Sequence, residues 1–339
     1  MIDMLPLAAS LGDKIDSSFF GVDTAVFSFF GNLQNGFFTI LAKMFTSLGD
    51  ENFIIPIAIL AFCLCLFKKT RKYGFAMLMA VAVGTIITNL WLKPLVLRVR
   101  PYNTLQLTDF WAQYRTWYEA VGSLSESDYS FPSGHTTSAF EVATALCICL
   151  ISDKKGKIAW IPPVLALCTM CSRIYLMVHY PTDVFAGALV GITAGVAGFV
   201  LSKIICLIAS KVKFLDAIDL GKLFKNGINA KVCGALIAVF VIAVWGIAFG
   251  KLLTESDEVK CAYNQEYDCN NKARIGEDKY PPINGKNYCK IHWKQLAGDY
   301  EPGEEETSEQ EYEVAVEAQP EITEAAPVAP EETSTAAAA

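Results

Sequence analysis

Apolar residues gather into long runs at about 24–46, 52–67, 73–92, 133–151, 158–178, 182–207 and 231–250. Most approach the roughly 20 residues that a helix needs to cross a bilayer. This pattern predicts an all-α polytopic membrane bundle of about six core spans plus one extra C-terminal span. The first run carries Asn32, Gln34, Asn35 and Lys43. It reads either as a span or as an amphipathic helix lying in the interface. Residues 1–22 read as an amphipathic lead-in, 23–208 as the core and 209–230 as an amphipathic linker on the cytoplasmic side. The span 231–250 follows, then a Cys/His-containing module over 251–300. From 301 the chain is Glu, Ala, Pro, Thr and Ser, a composition that cannot bury a core.

Charge refines this picture. The net charge is -7, but residues 251–339 carry 20 acidic and 8 basic side chains while the rest carry 15 and 20. The acidity belongs to the tail. No basic stripe with interleaved aromatics appears, which argues against nucleic-acid partners. Lys68, Lys69, Arg71 and Lys72, then Lys154, Lys155 and Lys157, then Lys203, Lys211, Lys213, Lys222 and Lys225 follow alternate runs. The positive-inside rule makes their face cytoplasmic. The opposite face then holds the loop 93–131, the "PSGH" turn and the junction at His179–Asp183. Lys93, Arg98, Arg100 and Arg115 lie in that loop, on the disfavoured side, which suggests they are held for a reason. By parity the tail exits on the same face, unless the last run re-enters. The first twenty residues show no secretory signal. Eight cysteines lie in apolar runs and read as small hydrophobes.

Three short stretches gather on the outer face: "KPLVLRVRP" (93–101), "PSGH" (132–135) and "SRIYLMVHYPTD" (172–183). Lys93, Arg100 and Arg173 supply cations from three places. Guanidinium forks match phosphate oxygens and an ammonium adds a point charge; the alternative is snorkelling side chains at span ends. Lys93 and Arg100 share a face if the helix continues between them. "PSGH" suits a helix start, where Ser133 and Gly134 leave backbone N–H groups approachable by an anion, with His135 beside them. His179 and Asp183 are four apart. A carboxylate on one ring nitrogen fixes the tautomer and frees the other nitrogen to attack; the alternative is a self-satisfied polar pair. No acidic cluster of the two-metal kind accompanies them. The set fits phosphoryl transfer through a phosphohistidine with no catalytic cofactor.

The pattern K-x6-RP, PSGH and SR-x5-H-x3-D resembles the signature of the type 2 phosphatidic acid phosphatase superfamily, which includes vanadium haloperoxidases. The resemblance covers about residues 20–208 and implies a six-helix bundle with its site on the outer face. It implies His179 as nucleophile, Asp183 as its orienting acid and His135 as the acid for the leaving group. Lys93, Arg100, Arg173, Ser133 and Gly134 match the phosphate ligands. A bacterial inner-membrane location and a membrane lipid phosphate as substrate follow. Undecaprenyl diphosphate is the first expectation, with phosphatidate, phosphatidylglycerophosphate or lipid A as alternatives. Transfer to an acceptor other than water stays open, as do a lipid-phosphate transporter and a silent scaffold. The aromatic loop 102–131 reads as a lid over a headgroup or as an ordinary aromatic belt.

The tail lies outside this resemblance. Cys261, Cys269, Cys289 and His292 follow C-x7-C-x19-C-x2-H. Three cysteines and one histidine suit a structural zinc, whereas an oxidising outer location favours a disulfide that leaves one thiol; unpaired thiols are the third reading. The tail's protein partners are not legible.

Overall fold

The computed structural model describes residues 10–212, 219, 230–254, 258–262, 269–274, 282–283 and 286–296. The lead-in before Ser10, most of the linker and the acidic segment 301–339 lie outside the described residues.

Capping residues set the first helices. Ser10 starts α1 (Leu11–Asn32): its Oγ accepts the Asp13 N–H at 3.1 Å, and Asp13 Oδ2 accepts the Ser10 N–H at 2.7 Å. This reciprocal box satisfies two otherwise orphaned donors. Asn35 caps α2 (Gly36–Thr46) by accepting the Phe38 N–H at 3.0 Å. After a 3-10 turn, Asp50 caps α3 (Glu51–Cys65), accepting the Asn52 N–H at 2.8 Å. Helix α4 (Arg71–Thr85) continues through a π-helical stretch, Ile86–Leu92, into α5 (Lys93–Val96). Short α6 (Pro101–Thr104) and α7 (Trp111–Ala120) follow. Then come α8 (Gly134–Ser152), α9 (Gly156–Ala159), α10 (Ile161–Tyr175), α11 (Pro181–Lys211) and α12 (Ala230–Thr254). In the tail, β1 (Glu258–Lys260) pairs antiparallel with β2 (Lys272–Arg274), ahead of α13 (Lys290–Leu296).

By length and apolarity, five stretches of the described residues can cross a membrane: Arg71–Leu107, Gly134–Ser152, Gly156–Tyr175, Pro181–Lys211 and Val232–Leu253. The pair Gly36–Gly49 and Glu51–Cys65, bent by 44°, makes a sixth when counted as one. Outward side chains such as Phe62, Leu90, Trp91, Leu236 and Ile242 are apolar and exposed, as a lipid-facing surface requires.

Glycines bring the helices together. Gly187, Gly191 and Gly195 recur every four residues on α11 and face Ser133, Thr137, Phe140 and Thr144 of α8 or its start, while Gly198 faces Ala76 and Ala80 of α4. Lipid offers no hydrophobic drive between helices, so close backbone approach over small residues supplies the contact. The first two basic loops meet one another. Lys72 pairs with Asp153, Tyr73 donates to Asp153 Oδ2 at 2.5 Å, and Lys155 Nζ stands 5.4 Å from the Tyr73 ring centroid.

The expected elements and the structure differ in three places. The first run is divided by the break at Leu33–Asn35, and α1 starts at Leu11, well inside the supposed lead-in. Among the described residues, the contacts of α1 lie at the motif-bearing end. Gly12 abuts Arg98, Asp16 and Asp23 bond Arg98, Phe27 sits edge-on to Tyr114 at 5.2 Å, and Gly31 abuts Trp117. Carboxylates that reach a buried arginine have no place on a lipid-facing span, so α1 caps the bundle and the core has one span fewer. Second, the aromatic loop is largely interior. Tyr102, Tyr114 and Tyr118 are buried and stacked at 5.1 and 6.1 Å. Third, the tail contains a small β-ribbon.

Gly191→Leu tests the packing. A Cβ at this position would lie 2.6 Å from Phe140 Cβ and from the Thr137 carbonyl oxygen. The expected cost is about 1–3 kcal/mol of overpacking, read as a lower melting temperature in detergent. An unchanged melt would refute the tight α8–α11 contact.

Candidate active site

The π-helical stretch and a left-handed Leu97 (φ 54°) end the α4–α5 rod before Arg100. Lys93 and Arg100 therefore do not share a helix face as expected. They converge through folding: Lys93 Nζ pairs with Asp128, and Arg100 Nη2 donates to Asp128 Oδ1 at 2.6 Å. Arg173, at the end of α10, reaches the same place through Glu126. All three expected cations thus meet one carboxylate-bearing loop, 126–128.

Glu126 occupies the centre. Its carboxylate takes Arg100 Nη2 on Oε2 at 2.5 Å and Arg173 Nη2 on Oε1. His179 Nε2 stands 3.9 Å from Oε2 and His135 Nδ1 stands 3.8 Å from Oε1. Two histidines therefore flank a trigonal anion held by two guanidinium groups. Burial alone would raise the Glu126 carboxyl, but Arg100 and Arg173 outweigh it and hold the group well below the usual range. For Asp128, Lys93 and Arg100 overcome burial and bring its pKa to about 2. Arg173 Nε is buried with no hydrogen-bond partner among the described residues, an N–H aimed at no acceptor.

The nucleophile candidate is fully buried. Arg100 Nη1 lies 3.2 Å from His179 Nε2 and can only donate, so Nε2 carries the lone pair and Nδ1 the proton. Nδ1 meets Ser130 Oγ at 3.2 Å, and Ser130 donates to Asp183 Oδ2 at 2.5 Å. The direct His179–Asp183 approach is 3.7 Å. The expected histidine–aspartate contact is thus relayed by a serine. Burial and then the neighbouring Arg100 lower His179 to about 4, so its ring is neutral at pH 7.

Asp183 is itself clamped. Arg98 Nη1 donates to Asp183 Oδ1 at 2.6 Å and to Thr182 Oγ1 at 2.7 Å, Nη2 to Asp23 Oδ2 at 2.9 Å and Nε to Asp16 Oδ1 at 2.7 Å, over the Tyr180 ring at 3.8 Å. Ser133 and Gly134 open α8. The Ser133 N–H donates to the Asp183 carbonyl at 3.1 Å, and its Oγ accepts from Thr136 at 3.1 Å. The first N–H groups of a helix have no intrahelical acceptor, and a Cβ on Gly134 would find only Lys93 Nζ, at 3.9 Å.

The eight expected residues therefore converge on one site. Arg98, Asp16, Asp23, Ser130, Glu126 and Asp128 were not assigned from sequence. Only Arg98 left a signal, as a cation on the disfavoured face. The four expected tail ligands, Cys261, Cys269, Cys289 and His292, also come together in a separate buried cluster.

Comparison with known families matches residues 69–211 to the PAP2 superfamily. The chain carries a PAP2 superfamily domain. All three motifs fall inside it, and α1, α12 and the tail fall outside. An undecaprenyl-diphosphatase of Sulfolobus acidocaldarius is 31% identical over 158 residues, covering 46% of this chain and 65% of that protein. The chain thus spans somewhat less than two thirds of that relative's length. A lipid A 4'-phosphatase of Bacteroides thetaiotaomicron is 28% identical, covering 50% of this chain and 72% of that protein. Phosphatidylglycerophosphatase B of Bacillus subtilis is 29% identical, covering 43% and 66% respectively. Among solved structures, a transmembrane PAP2-type phosphatidylglycerolphosphate phosphatase from Bacillus subtilis superposes with a TM-score of 0.43 at 24% identity. It covers 60% of this chain and 92% of that one. By its candidate spans the protein is a multi-pass membrane protein, and its PAP2 match is confined to residues 69–211.

A phosphate entering this cradle would have to displace Glu126 from Arg100 and Arg173. Glu126→Gln keeps the shape and removes the competing charge. Calorimetry with inorganic phosphate should show binding several-fold tighter than wild type; equal or weaker binding would show that the carboxylate does not compete.

Proposed function

We propose that this protein is a membrane lipid phosphatase acting through a phosphohistidine at His179. The observation that carries the reading is the anion held between His179 and His135 by Arg100 and Arg173: Glu126 stands where a phosphoryl group would sit. His179 Nε2 attacks phosphorus with its lone pair, and the bond to the leaving oxygen breaks. His135 passes a proton, taken from the bound monoanionic phosphate, to that oxygen. Lys93, Arg100, Arg173 and the α8 N-terminus neutralise the equatorial oxygens, whose charge spreads in the transition state. The proton on Nδ1 stays directed at Ser130 and Asp183, which favours the imidazolium side of the step. Water then attacks the phosphohistidine, with His135 now as base, releasing inorganic phosphate.

The spans around the site support a lipid setting, and the basic loops of the sequence support an extracytoplasmic side. A bacterial cytoplasmic membrane is the corresponding location. Undecaprenyl diphosphate is the proposed substrate, in keeping with the Sulfolobus relative's name. Phosphatidylglycerophosphate and lipid A, suggested by the other names, are the alternatives.

The test is phosphate release in detergent from undecaprenyl diphosphate, phosphatidylglycerophosphate and phosphatidate, with no chelator present. Wild type should release phosphate, and His179→Ala should lose it by at least about 10³-fold, the scale of losing a nucleophile. Release that persists in His179→Ala, or none from any lipid, would overturn the reading. The rates rank the lipids.

The pH dependence has a sign. His179 folds with its value lowered to about 4, beneath an ordinary 6.5. Its neutral, attacking form therefore survives to about pH 4, and the acid limb of the rate from this group should lie near 4. Between 6.5 and 4 the unfolded chain binds more protons, so the same histidine makes the fold less stable as pH falls through that window. A His179-dependent limb at 6.5 would contradict the burial.

A further inference from the structure

The tail module contains a second constructed site. Cys261, at the end of β1, and Cys269, ahead of β2, are brought near each other by the ribbon, and the Cys261 N–H donates to the Asn271 carbonyl at 2.9 Å. Cys289 immediately precedes α13, and His292 stands three residues on, where a helical turn returns to the same side. One ligand atom from each of the four lies within 4.8 Å of every other, and all four side chains are buried. His292 Nδ1 is 3.5 Å from Cys261 Sγ and 3.3 Å from Cys289 Sγ. A tetrahedral ion with Zn–S of ~2.3 Å and Zn–N of ~2.0 Å sets its sulfur and nitrogen ligands about 3.5 Å apart.

The sulfurs also have the surroundings of thiolates. The Cys289 backbone N–H donates to Cys261 Sγ at 3.2 Å, and Asn271 Nδ2 to Cys289 Sγ at 3.4 Å. Asn103 Nδ2 points at Cys269 Sγ from 4.0 Å. Such outer donors orient ligands and disperse their charge. A disulfide would consume two sulfurs and leave the third, with the imidazole, in a buried pocket that fits four ligands.

Asn103 is not part of the tail. It lies on α6, three residues after Arg100, and its N–H donates to the Arg100 carbonyl at 3.0 Å. Its Oδ1 accepts the Asn270 N–H at 2.9 Å and its Nδ2 also donates to Asn271 Oδ1 at 3.1 Å, while Asn270 Nδ2 donates to the Tyr102 carbonyl at 3.1 Å. Tyr129, between Asp128 and Ser130, packs against the cysteine cluster. The module thus grips both segments that build the phosphate cradle.

We propose that Cys261, Cys269, Cys289 and His292 bind one structural zinc ion, and that the loaded module, through Asn103, holds the Arg100 loop in its anion-binding position. Asn103 is a positioning residue. The zinc half stands on the tail alone; the positioning half rests on the phosphate cradle proposed above.

Full-length protein purified in detergent should contain about one zinc per chain by elemental analysis, and Cys289→Ser should contain little. Cobalt(II) replacing the zinc should give the intense visible bands of a tetrahedral thiolate site. Absence of zinc with no cobalt spectrum, or a disulfide found by thiol counting, would overturn the metal site whatever the enzyme's activity. Asn103→Ala should keep the cobalt spectrum but weaken zinc affinity about tenfold, the low end for a lost outer-shell partner. With zinc still saturating, it should bind inorganic phosphate several-fold more weakly than wild type. Chelating the zinc from wild type should weaken phosphate binding in the same sense. Phosphate affinity unchanged by both would overturn the positioning role and leave the ion confined to the tail.

Discussion

Two arginines, Arg98 and Arg100, are almost completely buried only two residues apart, and most of the site is arranged to satisfy them. A guanidinium has five N–H donors and does not lose its charge in proteins. Buried, it needs anions and carbonyls around it, because an unpaired charge away from water is far costlier than the pair. Arg98 draws Asp16 and Asp23 from α1 and Asp183 from α11. Arg100 draws Glu126, Asp128 and the Val178 carbonyl. These bonds fix where α1 lies, how the 126–130 loop folds and which way His179 faces.

The two arginines do different work. Arg98 is engaged by three protein carboxylates and the Thr182 hydroxyl, and it bonds the Asp183 oxygen that does not face Ser130 and the histidine. It is structural, and it keeps Asp183 charged and oriented. Arg100 and Arg173 are matched by Glu126, a single side chain on a loop, and Arg173 retains an unsatisfied N–H. The compensation on that side is exchangeable: any anion with several oxygens can replace one carboxylate and engage more donors. A cradle of this kind keeps its guanidinium groups matched by Glu126 while leaving donors that a multi-oxygen anion could engage.

The bundle supplies the rigidity this arrangement needs. Glycine contacts between α11 and α8 set the start of α8 beside the start of α11, so Ser133 and Asp183 share a backbone bond. The motif residues come from the ends of five helical segments and are placed by helix packing, not by loops alone. The tail ribbon reaches the same end of the bundle and contacts α6, next to Arg100.

The sequence by itself determined the membrane-bundle class and the eight motif residues that meet at one end of it. Apolar run length and basic-loop alternation are one-dimensional signals, and phosphate chemistry restricts residue types strongly enough to be read from short motifs. It also singled out Cys261, Cys269, Cys289 and His292 as candidate ligands, leaving a zinc, a disulfide and unpaired thiols all open. Tertiary structure decided the rest. No local pattern distinguishes α1 as a cap from a span, because the distinction depends on Asp16 and Asp23 finding Arg98 some eighty residues away. Glu126 in the cradle and Ser130 between His179 and Asp183 are likewise long-range meetings of ordinary polar residues. Asn103 under Cys269 joins positions more than 160 residues apart. Such partners are selected by the geometry of burial, where every charge and donor must be matched, and a linear sequence does not record which of its many carboxylates and amides will be nearest.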